Sequence, residues 1–247
     1  MADVEKITPY DSEGDSRAKG LQVRDMFDNI APAYDFMNRA MTLGIDRWWR
    51  RHAVNLLRRW QPRYILDVAT GTGDLALSMA RHLDPVSIVG VDLSDGMLEK
   101  GRVKVAKAGL GDVISMRQAD CLNLPFPDRG FDCVTAAFGV RNFEDLLGGY
   151  MEMYRVIKPG GVLMVIELST PTSPAVRPLY DFYTNRLIPS VGRLVSKDSD
   201  AYTYLPQSIA AVPQGQEMAA LMRSAGFSDV EIHTMTFGVC TIYLALV

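Results

Sequence analysis

The chain's chemistry concentrates in Asp67-Val68-Ala69-Thr70-Gly71-Thr72-Gly73-Asp74, which follows the apolar Tyr64-Ile65-Leu66 and leads into a helical pattern. An apolar strand that breaks into two glycines and re-enters a helix builds a nucleotide pocket. Gly71 and Gly73 let the backbone turn sharply and approach a ligand where a side chain would obstruct it. Asp67 stands four residues before Gly71, where a dinucleotide-binding strand is usually apolar. A nucleoside that carries a free amino-acid end needs an anion there for its ammonium.

The dinucleotide pattern G-x-G-x-x-A is also satisfied, by Gly71, Gly73 and Ala76, but alone it is a weak signal. A second strand, Ile88 to Val91, ends in Asp92, 19 residues past Gly73. A carboxylate there can accept both ribose hydroxyls under either reading. A third strand, near 113–119, ends in Asp120-Cys121, placed to meet the adenine edge. Acids at the ends of three successive strands, with glycines at the first, favour S-adenosylmethionine over NAD. Thr70, Thr72, Leu93, Met97 and Ala137 complete the expected contact set. Asp92 and Asp120 could instead cap the segments that follow them, although Ser94 is the better helix cap and leaves Asp92 for ribose.

These residues need a scaffold, and the hydrophobic pattern supplies one. Strands are expected near 64–69, 86–91, 113–119, 131–137 and 161–167, with helices near 74–83, 95–108 and 143–157. Such alternation predicts a parallel sheet covered on both faces. Lys158-Pro159-Gly160-Gly161 reads as a helix stop and turn before Val162. A helix near 215–224 precedes strands near 230–233 and 239–246, which can pair antiparallel. The fold class is therefore α/β: a seven-stranded, Rossmann-like class I methyltransferase plan with N-terminal helices and a helical lid insertion.

The N-terminal helices are expected over 21–30, 32–41 and 46–60, and Arg47, Arg50, Arg51, Arg58 and Arg59 on the last read first as a solvated face. Residues 1–20 are expected to be mobile, and 21–247 to form one domain. Segment 172–214 interrupts the alternation. Its apolar residues Val176, Leu179, Tyr180, Tyr183, Leu187, Val191 and Leu194 recur at helical spacing, with Arg177, Arg186, Arg193 and Lys197 among them. It is either an extra helix packed on the sheet, a lid over a greasy cavity, or both.

With 247 residues, 48% of them hydrophobic, the chain can bury a substantial core. A formal charge of −3 argues against wholesale nucleic-acid binding. Cys121, Cys133 and Cys240 read as reduced core thiols without metal-ligand spacing, as expected of a cytoplasmic protein. Neither a signal peptide nor an apolar stretch of membrane-spanning length is visible.

The runs Tyr34-Asp35-Phe36-Met37-Asn38 and Met41-Thr42-Leu43-Gly44-Ile45-Asp46-Arg47-Trp48-Trp49-Arg50 resemble a family signature. So do Phe138-Gly139-Val140-Arg141-Asn142, the stretch from Met153 to Gly161 and that from Ala201 to Ser208. The chain, from about residue 22 onward, resembles the ubiquinone/menaquinone biosynthesis C-methyltransferases. The Gly-rich loop and Lys-Pro-Gly-Gly turn are common to many methyltransferases, whereas the first and third of these runs are more specific. The resemblance implies methylation of a ring carbon on a prenylated quinol, with the opening helices closer to menaquinone-only relatives. Demethylmenaquinol is thus the expected acceptor, and the ubiquinone precursor the alternative. Asp46 stands where many relatives carry histidine and is assigned no catalytic role. Cys121 stands where alanine is common, so its backbone N–H is the expected contact.

Carbon methylation needs a ring carbon made nucleophilic by an adjacent hydroxyl that loses its proton, and it needs no metal. His52, His82 and His233 sit away from every motif. Arg141, at the end of the fourth strand, is the expected catalytic group: a permanent cation that stabilises the forming phenolate and holds a proton-accepting water. Asn142 beside it and Tyr34 complete the catalytic set; a helix cap and core packing are their bland alternatives. Expected partners are the quinol, a transient membrane surface met by Arg177, Arg186 and Arg193, and a second copy in a homodimer. Nucleic acid is not expected. The location is cytoplasmic, peripheral on the inner face of the cell membrane. The rivals are an NAD-dependent oxidoreductase, methylation of RNA or protein, and a non-catalytic module that only binds S-adenosylmethionine.

Overall fold

A computed structural model of the chain describes residues 4–9, 18–84, 86–187 and 200–247. Helices α1 (Lys19–Ile30), α2 (Tyr34–Thr42) and α3 (Asp46–Leu57) precede the alternating part. There follow β1 (Tyr64–Val68), α4 (Asp74–His82), β2 (Ser87–Asp92), α5 (Asp95–Lys107), β3 (Ile114–Gln118) and β4 (Phe131–Ala137). Next come α6 (Leu146–Val156), β5 (Ile157–Leu168), α7 (Arg177–Phe182), α8 (Asp200–Ala211) and α9 (Gln216–Ser224), and β6 (Ser228–Met235) and β7 (Cys240–Leu246) close the chain.

The seven strands order as β3-β2-β1-β4-β5-β7-β6, with β7 antiparallel to both its neighbours. The first five are parallel, and the chain steps to opposite sides of β1 to reach β2 and β4. That switch point opens a crevice beyond the strand ends, where such sheets bind ligands. Successive side chains on β1 point to opposite faces. Leu66 and Val68 join one apolar cluster with α6 and α9; Ile65 joins the other with α3 and α4. Asp67 shares the face of Ile65, which buries it.

Two expectations need correction. Lys158-Pro159-Gly160-Gly161 is not a turn ahead of the strand but a part of β5, which begins at Ile157 and shifts register between Phe131 and Cys133 of β4. A bulge absorbs the extra residues, with Gly160 at φ +77°. Arg50 is not on a solvated face: it is buried and paired with the buried Asp46 one turn earlier. Arg47, Arg51, Arg58 and Arg59 are exposed as expected.

In the N-terminal stretch, Val4–Lys6 forms a short 3-10 turn, and Ile7 packs beside Met26 and Tyr204; residues 1–3 and 10–17 lie outside the described residues. The insertion contributes α7, a π-helical turn over Tyr183–Leu187, and α8. Val191, Arg193, Leu194 and Lys197 lie outside the described residues. Leu179 is largely exposed rather than packed, while Thr184, in the polar part of the pattern, is buried. Tyr183 donates its hydroxyl to the Met41 carbonyl at 2.7 Å, tying this turn to α2.

Candidate active site

Three cavities meet at the strand ends. The largest, a cleft enclosing about 800 Å³ that is partly open to solvent, runs past Gly71, Asp92, Leu93, Met97, Asp120 and Cys121. Ala137 and Asn142 also border it, and α1 covers it through Gly20, Val23 and Phe27. The strand ends thus bring most of the expected cofactor residues together.

The loop after β1 is shaped by backbone conformation. Gly71 (φ +55°) and Gly73 (φ +78°) both adopt left-handed geometry, which side chains disfavour. Gly73 borders none of the three cavities; it turns the chain into α4. A Cβ on Gly139 would sit 2.6 Å from the Ala69 Cβ, so this glycine lets the loops after β1 and β4 close together. At the end of β2, Asp92 accepts the Gly71 amide at 2.8 Å and the Ser94 amide at 2.9 Å. One lone pair on each oxygen remains for a ligand. Burial raises its pKa, and those amides pull the other way. Ser94 caps α5 through the Met97 amide, as its position predicts.

Asp67 borders a second, smaller and more polar cavity of about 350 Å³, together with Tyr34, Arg50, Thr70, Thr72 and Asp74. Its two oxygens accept the hydroxyls of Thr135 and Thr70, each at 2.6 Å. Burial pushes its pKa up to about 6, against the pull of those hydroxyls. Carboxylate and guanidinium in one chamber match the ammonium and carboxylate of an amino-acid end. Arg50, which periodicity alone assigned to the surface, thus borders this chamber. Its signal was Asp46, which at i,i+4 spacing could bury it as a pair. Thr72 donates to Asp35 at 2.6 Å and accepts Lys104 at 3.0 Å, and Lys104 also pairs with Asp74. Burial acts to raise the Asp74 pKa, but Lys104 overrides it and holds the carboxyl low.

A third cavity, about 470 Å³, is predominantly apolar. Met26, Phe27 and Ile30 of α1, Met37 and Met41 of α2, and Leu205 of α8 line it. Its polar border is Tyr34, Asn38, Arg141, Asn142 and Tyr204. Tyr34 borders all three cavities, and Asn142 borders the cleft and the apolar cavity. Of the expected catalytic residues, Tyr34 and Asn142 therefore stand at the wall between two chambers, and Arg141 borders the apolar one.

Arg141 is 6% exposed, and its Nη1 donates to the Phe138 carbonyl and, at 2.8 Å, to Glu167 Oε1. Its Nε is the single buried side-chain donor without a partner among the described residues. Burial disfavours the guanidinium charge, yet the Glu167 carboxylate outweighs this and keeps its pKa above the ordinary value. Glu167 and Tyr204 escaped the sequence reading. The first sits inside an apolar strand; the second donates to Asn142 Oδ1 at 3.1 Å from a helix far along the chain. His52, His82 and His233 border none of the three cavities. Among the described residues no three His, Cys, Asp or Glu side chains converge as a metal site would require.

Comparison with known proteins agrees with this architecture. A solved S-adenosylmethionine-dependent methyltransferase of Thermotoga maritima superposes with a TM-score of 0.63 over 90% of this chain and 98% of that one, at 18% identity, which speaks to the fold alone. A demethylmenaquinone methyltransferase of Bacteroides fragilis is 50% identical over 98% of this chain and 97% of its own. A ubiquinone/menaquinone biosynthesis C-methyltransferase of Geobacter sulfurreducens is 50% identical over 91% of this chain and 88% of its own. The model of the ubiE/COQ5 methyltransferase family matches residues 15–246. With a glycine-turned cleft at the switch point and this match along nearly its whole length, the chain belongs to the ubiE/COQ5 methyltransferase family.

Proposed function

We propose that the chain methylates a ring carbon of a prenylated quinol, converting demethylmenaquinol to menaquinol, with S-adenosylmethionine as methyl donor. The observation that carries this reading is the apolar cavity, which Arg141 borders and which Tyr34 and Asn142 divide from the nucleotide cleft. An oily molecule with a polar aromatic head fits that border. Demethylmenaquinone methyltransferases that match this chain over 98% and 100% of its length, at 50% and 47% identity, support the menaquinone acceptor over the ubiquinone precursor.

Asp92 would hold the ribose, Asp67 and Arg50 the amino-acid end, and the Asp120–Leu122 loop the adenine. Bound there, the donor supplies an electrophilic sulfonium methyl. As the quinol hydroxyl passes its proton to water, the Arg141 guanidinium would stabilise the phenolate, so that the neighbouring ring carbon takes the methyl from sulfur and then loses its own hydrogen as a proton to water, leaving S-adenosylhomocysteine. Asn142, oriented by Tyr204, and Tyr34 align the ring at the wall between chambers. Alignment alone is worth much of the acceleration, since well-oriented intramolecular reactions gain about 7–11 kcal/mol. Aliphatic walls hold the tail, each buried methylene contributing roughly 0.8 kcal/mol.

The tail brings the chain to a bilayer. No described helix is long and apolar enough to span one, but an exposed apolar rim surrounds this side. Phe36, Leu43, Ile45 and Trp48 flank the α2–α3 corner. The Tyr183–Met41 bond brings Leu179 and Phe182 of α7 alongside, and a 2.8 Å bond from Trp49 Nε1 to the Thr236 hydroxyl does the same for Phe237. Arg39, Arg47 and Arg51 are exposed on the same helices, whose acid in that corner, Asp46, is buried against Arg50. Such a surface suits an anionic lipid interface. Arg177, by contrast, pairs with Asp181.

Incubation with methyl-labelled donor and separate demethylmenaquinol and demethoxy-ubiquinol acceptors tests the reaction. Label on a ring carbon of the menaquinol product is expected; label on neither quinol would refute it. Flotation with anionic liposomes should recover the protein at low salt, and Trp48→Ala should weaken recovery. No recovery under any condition would remove the membrane from the account.

A further inference from the structure

We infer that Glu167 is a positioning residue for Arg141, fixing the guanidinium at the border of the apolar cavity where the substrate oxygen would meet it. The inference rests on the quinol reading above. Glu167 lies near the end of β5 with 2% of its surface exposed. Its Oε1 takes Arg141 Nη1 and also the Leu168 amide at 2.8 Å, and its Oε2 takes the Arg141 backbone amide at 3.3 Å. One carboxylate therefore holds both the main chain and the side-chain tip of Arg141, and is itself anchored to its own strand. The Phe138 carbonyl takes Nη1 from the other side. Between these contacts Nε is left without a partner.

Stability does not explain this arrangement. A buried ion pair is often no better than an apolar pair of equal volume, because both ions surrender hydration. A site, however, needs its donors fixed by supporting groups before substrate arrives. A flexible guanidinium would spread its charge and donors over many directions, and a displacement of 1 Å costs about 100-fold in rate. The pairing also sets the electrostatics: with Glu167 balancing its charge, Arg141 acts as an aimed donor more than as a bare cation. The other titratable side chains facing Arg141 are Tyr34, Tyr180 and Tyr204, and those facing Glu167 are Tyr150, Tyr204, Tyr243 and Cys240.

The test compares the full chain carrying Glu167→Ala or Glu167→Gln with the unaltered protein, reading quinol kinetics, donor affinity and the ¹⁵N–¹H signal of Arg141 Nε. Glu167→Ala should lower kcat about 100-fold and broaden the Nε signal, with donor affinity within about twofold. Glu167→Gln keeps an acceptor for Nη1, so it should hold the Nε signal and restore kcat to within about tenfold of the unaltered chain. Its kcat should also begin to rise at lower pH, because the unbalanced guanidinium charge favours ionisation of the quinol hydroxyl. If Glu167→Ala does not fold, Glu167→Asp, which withdraws the carboxylate by one methylene, takes its place with the same expectations as Ala. A kcat within about threefold of the unaltered chain in the Ala variant would overturn the inference, as would equal Ala and Gln losses that track a common fall in Tm and donor affinity. Absence of quinol turnover in the unaltered chain would sink the quinol reading alone. The Nε signal would still decide positioning: rigid with Glu167 and mobile without it supports the role, whereas rigid in both refutes it.

Discussion

Donor binding should depend on pH through Asp67, and Asp67→Asn should abolish that dependence. The carboxyl is 1% exposed, and burial lifts its pKa from 3.8 to about 6. At 1.36 kcal/mol per unit, keeping it ionised in the unliganded protein costs about 3 kcal/mol above pH 6. The folded pKa lies above the unfolded one, so between about 3.8 and 6 the folded state holds more protons and stability falls as pH rises. The cost is complete above pH 6 and absent below 3.8. An ammonium beside Asp67 reverses the balance by favouring the ionised form. Donor affinity should therefore fall about tenfold per pH unit below 6, for as long as the carboxyl stays ionised in the complex. Asn cannot carry the charge. At pH 7.5 the variant should bind about 10- to 150-fold more weakly, as loss of a charge-assisted hydrogen bond of about 1.5–3 kcal/mol implies. Its affinity should change less between pH 5 and 7, and without ligand it should be no less stable than the parent at pH 8. Calorimetric titration with S-adenosylmethionine across that range, alongside thermal unfolding, measures both. Asp92, whose pKa burial also raises, adds a slope of the same sign to both proteins. The difference between the two profiles therefore isolates Asp67. Identical slopes, or undiminished affinity at pH 7.5, would show that Asp67 does not face the ammonium.

Arg141→Ala should lower kcat by about 100- to 1,000-fold, the usual cost of removing one preorganised donor. Donor affinity should be little changed, and a comparable loss of affinity would mark the effect as structural. Arg50→Met should weaken donor binding while leaving Asp46 buried without its cation; breaking such a pair costs about 3–5 kcal/mol, so a lower Tm is expected as well. Unaltered affinity in a folded Arg50→Met variant would remove Arg50 from the amino-acid chamber. Gly139→Ala should drive its methyl against the Ala69 Cβ, 2.6 Å away. Pushing the two loops apart should cost about 1–3 kcal/mol, visible in denaturant unfolding and in weaker donor binding; an unchanged midpoint would show that the loops yield freely.

The succession of strands and helices along the chain was legible in its residues, because two-residue and 3.6-residue periodicities are local properties. So were the glycine turn after β1 and the acids around it. Backbone permissiveness and a carboxylate at a strand end are properties of one position, legible without neighbours. Arg141 was readable for the same reason, as a permanent cation at the end of an apolar strand. Its partner was not. Glu167 lies 26 residues away along the chain, and only the parallel pairing of β4 with β5 brings it under Arg141. Arg50 illustrates the same limit. Helical spacing places it among exposed arginines, but packing of α3 over the sheet and an ion pair with Asp46 turn it into a chamber wall. The apolar cavity is decided only by tertiary structure, since α1, α2 and α8 are joined there by packing rather than by sequence proximity. What a residue can do chemically is written in its type. Whether it does so depends on which distant surfaces exclude water from it.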